Sequence, residues 1–355
     1  MRCTNVVAVL AGALLLLLVA APSAVMGGAI DSAITRAADR LDDFQAVNGS
    51  WTGEIDFTGS IVAGLVNAYE MNGTATYKTA AEDGGTWILT NSSPIFFGDE
   101  AYALTRLSGI SADPASNAWR TAASGFYTAV STGGTSGYIS AYTGTNPSNA
   151  VFYLANHVVA ATYVGAADQS IWRQGVIDFL ADVTDSTADY PVMSLGFATW
   201  ALAQSGSMDA TLVDPGAAGG STWYGVTLAD LPGLLAGHQV GAGDNADSFY
   251  WRFDHTAPGG GDPSGFTEDT VFGTLGLIAA NDANPALAFD DEILAARLVL
   301  ASGVAGDGKM YEHIWTGGAD YHTYAGETLQ ALPEPASLAF LATGGMLLLA
   351  RRRRK

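Results

Sequence analysis

Acidic residues recur at the start of apolar stretches along this chain: Glu54 and Asp56, Asp99 and Glu100, Asp189, Glu268 and Asp269, and Asp320. Two chemistries suit gathered carboxylates. One is a cation site; the other is an acid and a base for glycoside cleavage. Asp189, Glu268 and Asp269 are the first candidates. Asp254 with His255, and His322 with Tyr321, offer a base and an acid for β-elimination by a lyase. The competing reading is structural, because carboxylates at helix starts cap free N–H groups and complement the helix dipole.

Aromatic residues accompany these acids: Trp51, Phe96 and Phe97, Tyr138 and Tyr142, the run Phe249 to His255, and Tyr311, His313 and Trp315. Flat aromatic faces beside carboxylates hold sugar rings, whose C–H faces are apolar and whose hydroxyls need partners. Trp251, Arg252, Trp315 and Tyr138 are the expected ligand contacts. Packing of loops onto a scaffold is the alternative for each of them. The five histidines form no metal signature, and neither a metal nor a cofactor is expected. Gly259 to Pro263 lacks a P-loop lysine, Asp244 to Asp247 lacks the rest of an EF-hand loop, and no Gly-x-Ser-x-Gly elbow occurs.

The elements that must carry these residues are helical. Amphipathic segments are expected over 31–46, 74–91, 114–131, 167–182, 227–238 and 286–302. More apolar segments rich in small residues alternate with them over 57–72, 98–109, 148–165, 190–205, 267–281 and 321–331. This alternation implies an all-α fold, an α/α toroid of about six helical hairpins spanning 30–331. An irregular bundle or an α-solenoid is the alternative. The long connections 132–147, 239–266 and 303–320 all fall between an amphipathic helix and the apolar helix after it. They would gather at one end, where function is expected.

Gln45, Gly49 and Trp51 form Gln-x-x-x-Gly-x-Trp between the first two helices, and Gln239 to Asn245 repeats it without the tryptophan. The motif resembles the QW motif of the terpenoid cyclase and protein prenyltransferase toroids, which implies that the glutamine ties a helix end to the next repeat. The activities of that superfamily are not expected. There is no Asp-x-Asp-Asp motif, and the one cysteine, Cys3, falls in the leader.

The ends carry targeting signals. Residues 1–29 read as a signal peptide: Arg2, an apolar run from Val6 to Ala20, then small residues. Segment 332–355 places Pro333, Glu334 and Pro335 before an apolar stretch, then Arg351, Arg352, Arg353 and Arg354 with Lys355. That order resembles the PEP-CTERM sorting tail. The resemblance implies processing by an exosortase-type enzyme after signal peptidase, and a setting of exopolysaccharide or surface layer. The C-terminal helix would be transmembrane-like, holding the chain to the membrane until it is processed. Export across the inner membrane to the cell envelope or extracellular matrix follows.

Of 15 basic and 35 acidic residues, the ends hold six and one, so the body keeps nine and 34, a charge near −25. That field repels nucleic acid and anionic lipid. Two functions are expected: a non-catalytic interaction scaffold that binds glycans, or a polysaccharide lyase or glycoside hydrolase acting on extracellular polysaccharide.

Overall fold

The structure, a computed structural model, describes residues 27–93, 95–255, 265–315 and 317–332. The expected signal peptide, apart from its last three residues, and the expected sorting tail lie outside the described residues. Among the described residues the chain is all helical, and no helix is long and apolar enough to cross a membrane.

Thirteen helices are described. They are α1 (27–43), α2 (Thr58–Asn72), α3 (Ala75–Asn91), α4 (Gly98–Ile110), α5 (Ala118–Gly133), α6 (Thr135–Ser140), α7 (Pro147–Val164), α8 (Gln169–Ala181), α9 (Pro191–Gln204), α10 (Leu231–Gly237), α11 (Thr267–Ala283), α12 (Asp290–Gly303) and α13 (His322–Ala331). Helix α6 is a departure from expectation, since it occupies the stretch read as the open loop 132–147. It is held by packing on α8 and by Thr135, whose hydroxyl donates to the buried Asp168 carboxylate.

The apolar helices pack in order. Helix α2 lies on α4, α4 on α7, α7 on α9, α9 on α11 and α11 on α13, and α13 returns onto α2. Small residues set this spacing. A Cβ on Gly64 of α2 would sit 2.1 Å from the Gly326 carbonyl oxygen of α13. A Cβ on Gly196 of α9 would sit 2.5 Å from the Phe272 carbonyl oxygen of α11. Side chains tie the first and last of these helices together: Asn67 Nδ2 donates to Gln330 O at 3.2 Å, and Gln330 Nε2 to Ser60 O at 3.1 Å. Aromatics fill the middle. Phe197 stacks on Phe272 at 3.7 Å, Phe152 meets Phe197 edge-on at 4.9 Å, and Tyr102 of α4 meets Trp200 of α9 at 5.1 Å.

The amphipathic helices cover this set. Helix α3 lies on α2 and α4, α5 on α4 and α7, α8 on α7 and α9, α10 on α9 and α11, and α12 on α11. Helix α1 bridges the two ends of the series. Arg36 donates to the carbonyls of Ala305 and Val304, both at 3.0 Å, just past α12. On the other side Tyr77 of α3 donates to Asp39 at 2.6 Å.

The Gln-x-x-x-Gly-x-Trp motif works as a clamp. Gln45 Nε2 donates to Gly49 O at 3.0 Å within its own turn and to Ala80 O of α3 at 2.8 Å. Trp51 is fully buried, and its Nε1 donates to Leu41 O at the end of α1 at 2.9 Å. Gly49 has φ 88°, and a Cβ there would lie 2.3 Å from Asp83 O, so the turn demands glycine. Gln239 repeats the bridge without the tryptophan: its Nε2 donates to Asp247 O at 3.1 Å and to Glu292 O of α12 at 3.0 Å.

Candidate functional site: the acidic end

Contacts repeat in register along neighbouring apolar helices, Met193 with Asp269 and then Gly196 with Phe272, and Glu54 ahead of α2 with Thr323 and then Asn67 with Gln330, so these helices run parallel and start at one end. That end is where the acids gather, and three of them cap a neighbour's helix rather than their own. Asp99, in the first turn of α4, accepts from Ser60 N of α2 at 3.3 Å. Asp269, in the first turn of α11, accepts from Met193 N of α9 at 3.1 Å. Glu54, just before α2, accepts from His322 N at 2.6 Å, Thr323 N at 2.5 Å and Thr323 Oγ1 at 2.7 Å, all at the start of α13. Glu100 instead caps its own helix through Phe97 N at 2.9 Å, and it also accepts from the Ser92 hydroxyl.

Burial dominates the electrostatics. It pushes Asp99 up to about 7, with the Glu100 charge adding to the effect and hydrogen bonds opposing it. Burial, then the Glu268 charge, raises Asp269 well above the carboxylate range. Glu268 lies beside Asp269 and rises to about 7 through burial and the Glu312 charge.

The expected catalytic residues fall into separate places. Glu268 and Asp269 share the start of α11, whereas Asp189 is exposed, with its backbone N donating to Asn146 Oδ1 at 3.4 Å. His255 is drawn to His238, with Nε2 2.7 Å from His238 Nδ1, and it stacks on Tyr250 at 3.7 Å. Burial lowers both histidines, His238 to about 4. His322 opens α13, with Nδ1 3.2 Å from Glu54 Oε1 in a contact without hydrogen-bond geometry. Burial lowers its pKa, against the pull of Glu54. Tyr321 stands beside it, 50% exposed.

The expected ligand contacts divide in the same way. Trp251 donates to Asp189 O and carries the Arg252 guanidinium 4.9 Å above its ring. Arg252 itself donates to Asp185 O at 2.8 Å. Tyr138 is engaged in packing: its hydroxyl lies 3.3 Å from His157 Nε2, and its ring meets Trp172 at 5.4 Å. His157 is fully buried, and desolvation drops it to about 3, so it is neutral. Trp315 is 41% exposed.

Phe57 and Phe97 are also exposed at this end, Phe97 at 48%. A cleft of about 510 Å³ there is lined by Ile55, Asp56, Trp87, Ile95, Phe97 and Glu100. A groove of about 730 Å³ between α6 and α8 holds none of the expected site residues.

Three functional candidates emerge from the structure alone. Glu327 lies in the middle of α13, 1% exposed, and its Oε2 has no hydrogen-bond partner. Burial raises its pKa well above the carboxylate range, and the charges of Glu268, Asp99 and Glu54 add to the effect. Glu312 and Tyr190 stand near Glu268. The one sequence signal for Glu327 is an acid inside an apolar helical stretch, away from its first turn.

No group of three or more His, Cys, Asp or Glu among the described residues is arranged to hold a metal ion. No protein-family model matches the chain, and no curated protein matches it.

Proposed function

We propose that this chain is an exported surface protein of the PEP-CTERM type whose body, an α/α toroid, is a non-catalytic scaffold that binds glycans at its acidic end. The cyclic packing order, with α13 returned onto α2 and α1 bridging α12 to α3, supports the toroid. The observation that carries the scaffold reading is the use of Glu54, Asp99 and Asp269 as caps on neighbouring helices. These acids hold the architecture together. Sugar contact then falls to the exposed rings of Trp315, Tyr321, Phe97 and Phe57 on the same end.

The test is retention of the full chain, in mild detergent, on a panel of immobilised polysaccharides. Binding that disappears in a Trp315→Ala/Tyr321→Ala variant supports the reading. No binding to any member overturns it.

A second reading, cleavage of polysaccharide by a lyase or glycoside hydrolase, draws support from Glu268, whose pKa of about 7 suits an acid–base group. Its test is the appearance of new reducing or unsaturated ends on incubation with the bound glycan.

A further inference from the structure

A further cavity, of about 300 Å³, opens at the end of the apolar helices opposite the acids. It is lined by Tyr102, Arg106 and Gly109 of α4, Thr162 of α7, and Trp200 and Gln204 of α9. All but Tyr102 fall within the last two turns of their helices. Trp200 meets Tyr102 edge-on at 5.1 Å although α7 packs between α4 and α9, so both rings face the middle of the series. One turn nearer the acidic end, Phe197 stacks on Phe272 and meets Phe152, which closes the cavity from that side. Small-molecule sites measure about 300–1,000 Å³. A blind cavity at the bottom of that range takes one ring of a ligand rather than a length of chain.

Its polar groups both donate and accept. Trp200 is only 5% exposed, and neither its Nε1 nor the Tyr102 hydroxyl has a hydrogen-bond partner among the described residues, yet neither atom is sealed from solvent. Burial raises the Tyr102 pKa against the pull of Arg106, so the phenol keeps its proton. Gln204 adds an exposed amide. Thr162 Oγ1 donates to Val158 O at 2.7 Å, which leaves its lone pairs as acceptors. The charge is already balanced, because Arg106 donates to Asn67 Oδ1 at 2.6 Å and pairs with Glu70. An anionic ligand would find that guanidinium engaged and the carbonyl ends of α4, α7 and α9 beside it. A cation would meet Arg106. A hydrocarbon would cover the indole and phenol donors without giving them partners. A neutral pyranose suits all of these groups, with apolar C–H faces for the rings and hydroxyls that donate and accept.

We propose that this cavity binds one neutral sugar ring, either the terminal residue of a glycan or a free sugar. The site goes beyond the glycan-binding reading of the acidic end and does not depend on the exposed rings there.

The experiment is saturation-transfer NMR titration of the full chain, in a detergent without a sugar headgroup. The probes are the methyl glycosides of glucose, galactose and mannose, methyl glucuronide, and the trisaccharide of the best-bound sugar. The proposal expects at least one neutral glycoside to bind, and more tightly than the glucuronide. Gly109→Leu fills the mouth of the cavity and should weaken that binding at least tenfold. Its fold is not at stake, since a Cβ on Gly109 meets only Tyr163 Oη, at 3.8 Å. Tyr102→Phe removes one hydroxyl and should weaken binding about fivefold. Trp315→Ala/Tyr321→Ala, at the acidic end, should leave it unchanged. Circular dichroism of each variant separates lost binding from lost folding.

A trisaccharide saturated on its terminal ring alone identifies a chain end as the ligand, and binding of the monosaccharide without the trisaccharide identifies a free sugar. No glycoside bound, a glucuronide bound more tightly than every neutral sugar, or binding undiminished in Gly109→Leu overturns the proposal. Glycoside binding here without retention on any polysaccharide would overturn the acidic-end reading and leave this site standing.

Discussion

Asp269 Oδ1 accepts the Met193 backbone N–H at 3.1 Å, so an acid in the first turn of α11 closes the first turn of α9. The bond crosses between two parallel helices and leaves the carboxyl buried. Removing it strands a helix N–H in the interior. Asp269→Ala is expected to cost about 1–3 kcal/mol, more than an exposed cap would. Asp269→Asn keeps an acceptor and sheds the buried charge, so it should cost less. Urea unfolding of the two variants checks the order.

Stability should fall as the solution turns from mildly acidic to alkaline. Asp99 and Glu268 have folded pKa values of about 7, above those of an unfolded chain. Acids shifted upward favour the protonated folded state, so their contribution is complete below about pH 4 and is lost as pH rises through about 7. The buried histidines act in the opposite sense. His157, lowered to about 3, contributes above about pH 6.5 and loses that contribution as pH falls toward 3. Between pH 6.5 and 8 the unfolded histidines still release about half a proton each, which opposes the acids, but Asp99, Glu268, Asp269 and Glu327 together hold more protons in the folded state and set the sign of the slope. Denaturation midpoints should therefore be higher at pH 6.5 than at pH 8, and Glu268→Gln should flatten that difference. A midpoint that climbs over this range would contradict the shifts.

The two glutamine clamps should behave alike. Gln45→Ala and Gln239→Ala each remove an amide that bridges a turn to the next amphipathic helix, and each should cost about 1–2 kcal/mol. Trp51→Ala should cost about 3–5 kcal/mol, because it also empties a fully buried site. Thermal unfolding of the three variants gives the comparison.

Glycine replacements should separate the two layers of helices. Gly64→Ala forces a Cβ to 2.1 Å from the Gly326 carbonyl, whereas a Cβ on Gly125 of α5 meets nothing within 4 Å. Gly64→Ala should destabilise by several times the thermal energy. Gly125→Ala should stabilise by about 0.5–1 kcal/mol through helix propensity. Calorimetric melting temperatures decide both.

Much of the architecture was readable in advance. The alternation of amphipathic and apolar segments located twelve of the helices, because burial on every face leaves a sequence with few polar interruptions. The motif at Gln45 carried its own geometry, and Gln239 performs the same bridge despite lacking the tryptophan. The site was less legible. Asp99 and Asp269 look like caps on their own helices, and only the parallel packing of α2 on α4 and of α9 on α11 turns them toward a neighbour. Asp189, alike in sequence, ends up exposed. Glu327 does not stand out in the sequence, since its burial depends on which face of α13 meets α11, and a ten-residue helix has too few turns to reveal that.

In the proposed function the acidic end binds glycan through its exposed rings without cleaving it. The most direct measurement is the affinity of the full chain for the best-retained polysaccharide before and after the Trp315→Ala/Tyr321→Ala exchange, with chain length of the polymer followed alongside. The expected result is a loss of at least tenfold in affinity, an unchanged melting temperature and a polymer of constant length. Undiminished affinity in the variant, or a polymer that shortens, would contradict it.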